Sequence, residues 1–368
     1  MRILNTQNNF LVTSAYAYSN DLFGIRQSPF ESATKQLHAK GIGANFVTCF
    51  QAVRYNDLRF TTSPDNQRRK IMTEPNLIDP RTLYHNDKFP QQEQDTPALQ
   101  QKMQPKPDCG EESYRGHDRL LNRRVLITGG DSGIGRAVAI AFAREGADIA
   151  LQFFPGEEAD AQEVAALIED AGRRVILLPF DLRDAAAPKE IISQTLTGLG
   201  GLDTLVLNAA QQISEVSLAD TPLVQIHDTF KVNILSMFAL VQAALPRLQP
   251  GSAILTTTSV QAFDPSAHLL DYAATKAAIA NFTVGLAKQL AEKGIRVNGV
   301  APGPIWTPLQ LDHGQQPGAL PEFGQESLLG RAGQPAELAP VYVFLASNEA
   351  SYVTAQIYGV TGGEAINL

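Results

Sequence analysis

From Arg124 onward, short apolar runs alternate with longer stretches of helical period, and few folds accept that order. "RVLITGG" reads as a strand, "IGRAVAIAFAREGA" as a helix, "ADIALQFF" as a second strand and "GEEADAQEVAALIEDAG" as a second helix. "RRVILLPFDL" is a third strand ending at Asp181-Leu182, a helix covers about 185–198, and "LDTLVLNAA" is a fourth strand ending at Asn208-Ala209-Ala210. "GSAILTTTSV" adds a fifth strand over 251–258, and "RVNGVAPGPIWTP" a sixth. "PAELAPVYVFLAS" then reads as a helix and "TAQIYGVTGG" as the last strand. Strands separated by helices connect through right-handed crossovers, which makes the sheet parallel and covers both of its faces. The expected class is therefore α/β, a doubly wound parallel sheet, with its ligand beyond the carboxyl ends of the strands.

The first strand leads into its helix through "TGGDSGIG", Thr128 to Gly135. A glycine-rich turn lets backbone approach a pyrophosphate, and the helix that follows offers free N–H groups and the positive end of its dipole. Gly129, Asp131, Ser132, Gly133, Ile134 and Gly135 are accordingly candidates for a dinucleotide. Asp181, Leu182, Asn208 and Ala209 end other strands and point to the same crevice. The end of the second strand bears on which dinucleotide is held: an acid there accepts from a 2′-hydroxyl, and an arginine receives a 2′-phosphate. Phe153 and Phe154 stand at those positions, with the nearest acids, Glu157 and Glu158, opening the next helix. Phe153 is taken as a cofactor contact, and NADP is read ahead of NAD.

Ser259 ends the fifth strand, and "DYAATKAAIANFTVGLAKQLAEKG" is a long helical pattern carrying Tyr272 and Lys276. Their i, i+4 spacing sets both on one helix face, one turn apart. A tyrosine with an ordinary pKa of about 10 is a poor proton donor or acceptor at neutral pH. An ammonium beside it favours the phenolate and lowers that value. With Ser259 bonded to a carbonyl or alcohol oxygen, the set could perform acid–base catalysis beside a hydride carrier. Taken singly, each residue has a plainer reading as a turn former or a solvated helix face; the glycine turn upstream reverses that balance.

Together, "TGGDSGIG", "NAA" at 208–210, Ser259 and "YAATK" at 272–276 resemble the single-domain short-chain dehydrogenases/reductases over about 120–368. The resemblance implies the strand order 3-2-1-4-5-6-7. It implies Tyr272 as the acid/base, Lys276 as its modulator and ribose ligand, and Ser259 as the group orienting substrate. Asn233 in "TFKVNILSMF" matches an asparagine that kinks a helix and holds a relay water. Pro302, Gly303, Ile305 and Thr307 are expected over the nicotinamide, and residues 308–330 as an irregular lid. The helices near 222–245 and 270–292 are expected to pair across subunits of a homotetramer. With its Pro-rich leader, "PSAHLLDYAATK" and "APGPIWTPLQ", the chain is similar to extended glucose/ribitol-dehydrogenase-like oxidoreductases and aldehyde reductases. The implied reaction is hydride transfer between NAD(P) and a small aldehyde, ketone or sugar alcohol. His268, Leu269, Trp306 and Leu309 flank catalytic positions and are expected to face the substrate, with a loop residue capping nearby backbone as the alternative for His268.

A catalytically silent dinucleotide sensor of the same fold is the alternative, and its mark would be a missing Tyr or Lys. A nucleotide-sugar epimerase would need a larger segment after Lys276. Composition narrows the field further. A net charge of −8 argues against nucleic acid, and no apolar run reaches the roughly 18 residues of a membrane span. Cys49 and Cys109 have no metal-ligand spacing, which suits a reducing, cytoplasmic setting and no metal. Residues 1–71 carry nine Lys/Arg and four acids in an aperiodic, polar stretch. They read as a presequence, a disordered arm, or sequence upstream of a start at Met72, the last being favoured. Residues 72–122, rich in Pro and Gln, read as a flexible leader or an extended arm on the body or on a neighbouring subunit. The catalytic domain is assigned to 123–368.

Overall fold

Seven strands give the sheet its frame: β1 (Arg124–Thr128), β2 (Asp148–Phe153), β3 (Val175–Pro179), β4 (Thr204–Leu207), β5 (Ala253–Thr257), β6 (Arg296–Pro302) and β7 (Ile357–Val360). They lie in the order β3-β2-β1-β4-β5-β6-β7, every pair parallel. This computed structural model describes residues 77–366, so the readings of residues 1–71 and of the leader's first residues fall outside it. The expected strand order and class are what the chain adopts. Order reverses between β1 and β4, and the carboxyl ends of these neighbours open the crevice where doubly wound sheets hold ligands.

Alternation along the strands builds two cores. Val125 and Ile127 face one way, toward Phe142 of α1 (Gly133–Arg144) and Tyr342 of α7 (Pro335–Ala346). Leu126 faces the other way, with Leu205 and Ile254, because side chains of consecutive strand residues leave opposite faces. That second core is closed by Ile191 of α3 (Ala187–Leu199), Leu240 of α5 (Ser236–Ala244) and Leu286 of α6 (Leu270–Leu290). The helix α2 (Glu158–Asp170) follows β2, and α4 (Leu223–Phe230) runs into α5 through a π turn, Lys231–Leu235. The segment 308–330 holds only two short 3-10 turns, Pro308–Gln310 and Leu320–Glu322.

The leader from residue 77 to 122 is seated on the body. Phe89, Met103, Cys109 and Leu120 are buried, and a buried side chain of the size of Phe, Met or Leu contributes about 2 kcal/mol. Glu145, just past α1, anchors the leader's end. Its carboxylate accepts from the Tyr114 hydroxyl at 2.6 Å and the His117 backbone N–H at 2.8 Å, and pairs with Arg119 at 2.6 Å. Burial alone would raise the Glu145 pKa, but the Arg119 and Tyr114 bonds prevail and hold it at about 2.

Candidate active site

The crevice is a cavity of about 360 Å³ reached by the ends of β1 to β6. Its nucleotide end is shaped by glycines at which an added Cβ would meet close neighbours. At Gly133, φ is +51° and a Cβ would lie 2.9 Å from the Thr307 side chain. A Cβ on Gly135 would lie 1.8 Å from the carbonyl oxygen of Gly129. The turn is fixed by polar groups from neighbouring strands. Gln152 of β2 accepts from the Gly129 N–H at 3.1 Å and donates to the Phe180 carbonyl at 2.8 Å. Asn208 donates to the carbonyl of Gly129 at 3.1 Å and accepts from the Thr257 hydroxyl at 3.1 Å. The Thr128 hydroxyl accepts from the backbone N–H of Asn208 and Ala209, at 2.9 and 3.1 Å.

Asp131 and Ser132 line the cavity, together with Ile134 and Leu182. Asp131 is buried, and its Oδ2 has no hydrogen-bond partner among the described residues. Burial raises its pKa to about 7, aided by the nearby Asp160 carboxylate. Glu157 is pushed further, to about 9, by burial and then by Asp131. This end of the crevice thus presents two carboxyls that burial raises above the usual carboxylate range. One expectation needs correction here. Phe153 belongs to the β2 core, and Phe154, one residue on, lines the cavity. The register at the strand end decides this, since neighbours point to opposite faces. A cation is also present after all: Arg183, from the loop after β3, lies 5.2 Å from the Phe154 ring centroid and pairs with Asp181 at 2.7 Å.

At the chemical end, Ser259, Tyr272 and Lys276 line the same cavity and are all buried. Ser259 stands beyond β5 and caps a short turn, accepting from the Gln261 N–H at 3.2 Å. Lys276 donates to the Thr257 carbonyl at 2.9 Å, and its Nζ lies 5.2 Å from the Tyr272 ring centroid. Burial pushes the Tyr272 pKa up to about 12, and the Ser259 hydroxyl pulls it back only in part. Burial pulls Lys276 down to about 7. The tyrosine stands raised rather than lowered, because burial disfavours the charged form of each group and is the leading cause of both shifts.

Asn233 lies in the π turn. Its Oδ1 accepts from the Gln211 N–H at 2.8 Å, and its Nδ2 donates to the Thr275 hydroxyl at 3.0 Å. The kink is thus tied to the helix that carries Tyr272. Pro302, Gly303, Ile305 and Thr307 line the cavity, as do Leu269 and Leu309. His268 and Trp306 do not. His268 is exposed and contributes its backbone carbonyl to the Glu215 N–H at 2.9 Å. Trp306 is fully buried, stacks on Phe89 at 3.8 Å, and donates its indole N–H to the Pro105 carbonyl at 2.8 Å. A loop has no period from which side-chain direction could be read, and the leader claims this ring. Gln152, Arg183 and the leader's Thr96, Pro97 and Ala98 reach the cavity without having been anticipated. Of these only Gln152 left a trace, as a polar residue near the end of a largely apolar strand.

Comparison with known proteins agrees with this geometry. A family model described as enoyl-(acyl carrier protein) reductase matches residues 129–364. The chain is 56% identical over 288 residues to the oxidoreductase YghA of Escherichia coli, covering 78% of this chain and 98% of that one. It belongs to the short-chain dehydrogenase/reductase family. It is also 43% identical over 277 residues to the chloroplastic NADPH-dependent aldehyde reductase 1 of Arabidopsis thaliana, covering 74% of this chain and 96% of the relative. Among solved structures, a short-chain dehydrogenase of Burkholderia cenocepacia in complex with NADP superposes with a TM-score of 0.62 at 34% identity, over 67% of this chain and 99% of that one. Among the described residues no helix is long and apolar enough to cross a membrane.

Proposed function

We propose that the protein is an NADP(H)-dependent reductase/dehydrogenase of small aldehydes, ketones or their alcohols, with Tyr272 moving the proton at the substrate oxygen. The observation that carries this reading is the burial of Ser259, Tyr272 and Lys276 on one cavity with the glycine turn at its other end. The residues fit a dinucleotide: glycines leave a cradle that any Cβ would fill, and Asp131 holds an unpartnered oxygen beside it. Gly129 to Gly135 would take the pyrophosphate, Asp181 and Leu182 the adenine, Lys276 the nicotinamide ribose, and Ile305 and Thr307 the carboxamide. When bound, the nicotinamide supplies or receives the hydride. Tyr272, with its proton retained up to about pH 12, is a donor to a carbonyl oxygen, and Ser259 holds that oxygen in place. Arg183, paired with Asp181, is the lining arginine that a 2′-phosphate would recruit, and the NADP- and NADPH-named relatives support that preference over NAD(H). Leu269, Leu309 and Ile305 make the substrate end partly apolar, which suits an aldehyde at least as well as a polyol.

Lys276 and Tyr272 are both present and buried, which weighs against the silent sensor. A matrix of aldehydes, ketones and polyols against NADH and NADPH tests the reading; turnover with NADPH and short aldehydes is expected, and none with any pair would refute it. Exposed Leu223, Val224, Leu235 and Phe238 on α4, the π turn and α5 favour a homotetramer closed over these helices. Light scattering should find four chains, and a monomer would exclude it.

A further inference from the structure

The leader meets the crevice at two places, and both lie on its nucleotide half. Gln100 is buried beneath the glycine turn, where its Oε1 accepts from the Gly133 N–H at 2.7 Å. The other backbone group of Gly133 is also met by the leader, since the Cys109 thiol lies 3.6 Å from its carbonyl oxygen. The leader's own backbone is held in turn: Gln100 and Gln101 donate their N–H groups to the Asp160 carboxylate of α2, at 2.6 and 3.2 Å. A few residues earlier, Thr96, Pro97 and Ala98 form cavity wall. Pro97 packs on Gly156 of the β2–α2 loop, where an added Cβ would come within 3.1 Å of it. The Thr96 hydroxyl donates to the Asp312 carboxylate, so the leader is joined to the segment that follows β6. The Trp306 ring, clasped between Phe89 and Pro105, makes a second join to that segment.

Gln100 is chemically apt for its place. A side-chain amide is a neutral acceptor, so it can satisfy the Gly133 N–H without setting a negative charge beside a pyrophosphate. A carboxylate would make the same bond and oppose the ligand. The first-turn N–H groups of a helix have no acceptor within it, and binding one of them to the leader fixes how the rest are aimed.

We propose that residues 94–109 are a built part of the dinucleotide site, with Gln100 a positioning residue for the glycine turn and Thr96 a latch to the segment over the crevice. This rests on the dinucleotide reading above. The test uses the full chain, titrated with NADPH and followed by nicotinamide fluorescence for affinity and by stopped flow for release. Gln100→Glu should weaken NADPH binding about tenfold, with kcat at saturating NADPH within twofold of the parent. Trp306, the one tryptophan of the chain, reports whether the leader is still seated, and its emission should be unchanged. Thr96→Ala, at an exposed position, should speed NADPH release severalfold. It keeps the proposal open to refutation if Gln100→Glu fails to fold. Wild-type affinity and release in the folded variants, even with a lowered melting temperature, would overturn the proposal and leave the dinucleotide reading standing. Absence of NADPH binding by the wild-type protein would overturn both.

Discussion

The two ends of the crevice are made from different materials. The nucleotide end is mostly backbone and glycine, with backbone groups of the turn tied to neighbours: Gly129 to Gln152 and Asn208, Gly133 to Gln100. The chemical end is side chains held away from their ordinary protonation, Tyr272 up to about 12 and Lys276 down to about 7. One end is shaped chiefly by backbone, with Asp131 and Glu157 its displaced carboxyls. The other is under electrostatic tension that a charged partner can relieve. Damage to the first should therefore appear in binding, and damage to the second in turnover.

Gly135→Ala should have the largest effect on the nucleotide end, because its Cβ would collide with the Gly129 backbone at 1.8 Å. Calorimetry should then find no measurable NADPH binding, and near-normal affinity would break the contrast. Lys276→Met should act mainly on turnover, with kcat falling by roughly 100-fold as the positioned proton chemistry is lost and NADPH affinity falling less, through the nicotinamide ribose, than in Gly135→Ala. The same variant carries a pH test. The Lys276 pKa is lower in the folded protein, about 7, than its ordinary 10.5, so the unfolded chain binds the extra proton between those values. Wild-type stability should accordingly gain from this group as pH rises from 7 to 10.5, and lack that gain below 7. Urea unfolding of wild type and Lys276→Met across this window should converge on that pattern; parallel curves would contradict it.

Arg183→Ala sharpens the nucleotide end. It should raise the KM for NADPH by roughly tenfold, as loss of a charged hydrogen bond to phosphate would, and leave the KM for NADH nearly unchanged. Equal effects on both would remove Arg183 from the 2′-phosphate. The smallest change is expected at His268, which lies outside the cavity: His268→Ala should alter KM for aldehydes by less than about twofold, within the range of an exposed surface substitution.

Most of the frame could be read before the structure was seen. Strand and helix periods were clear in apolar runs such as "RVLIT" and "AILTT", and strand ends located Asp181, Asn208 and Ser259 correctly. Two kinds of information were out of reach. Direction at the end of a strand or in a loop depends on register and on what packs there, which is why Phe154 rather than Phe153 meets the cavity and Trp306 turns to Phe89. The leader holds on through isolated anchors and side-chain bonds to backbone, such as Gln100 to Gly133 and Arg119 to Glu145. Neither leaves a period. Arg183 was overlooked for a related reason: it reaches the end of β2 from a different strand.

Tyr272 stands at the centre of the account, and turnover of NADPH with a short aldehyde, read as loss of reduced-nicotinamide absorbance, tests it most directly. Tyr272→Phe removes one hydroxyl and keeps the ring in its pocket. We expect kcat to fall by roughly 10²–10⁴-fold with NADPH affinity within twofold of wild type. Full turnover by Tyr272→Phe would contradict the assignment of the proton to this residue.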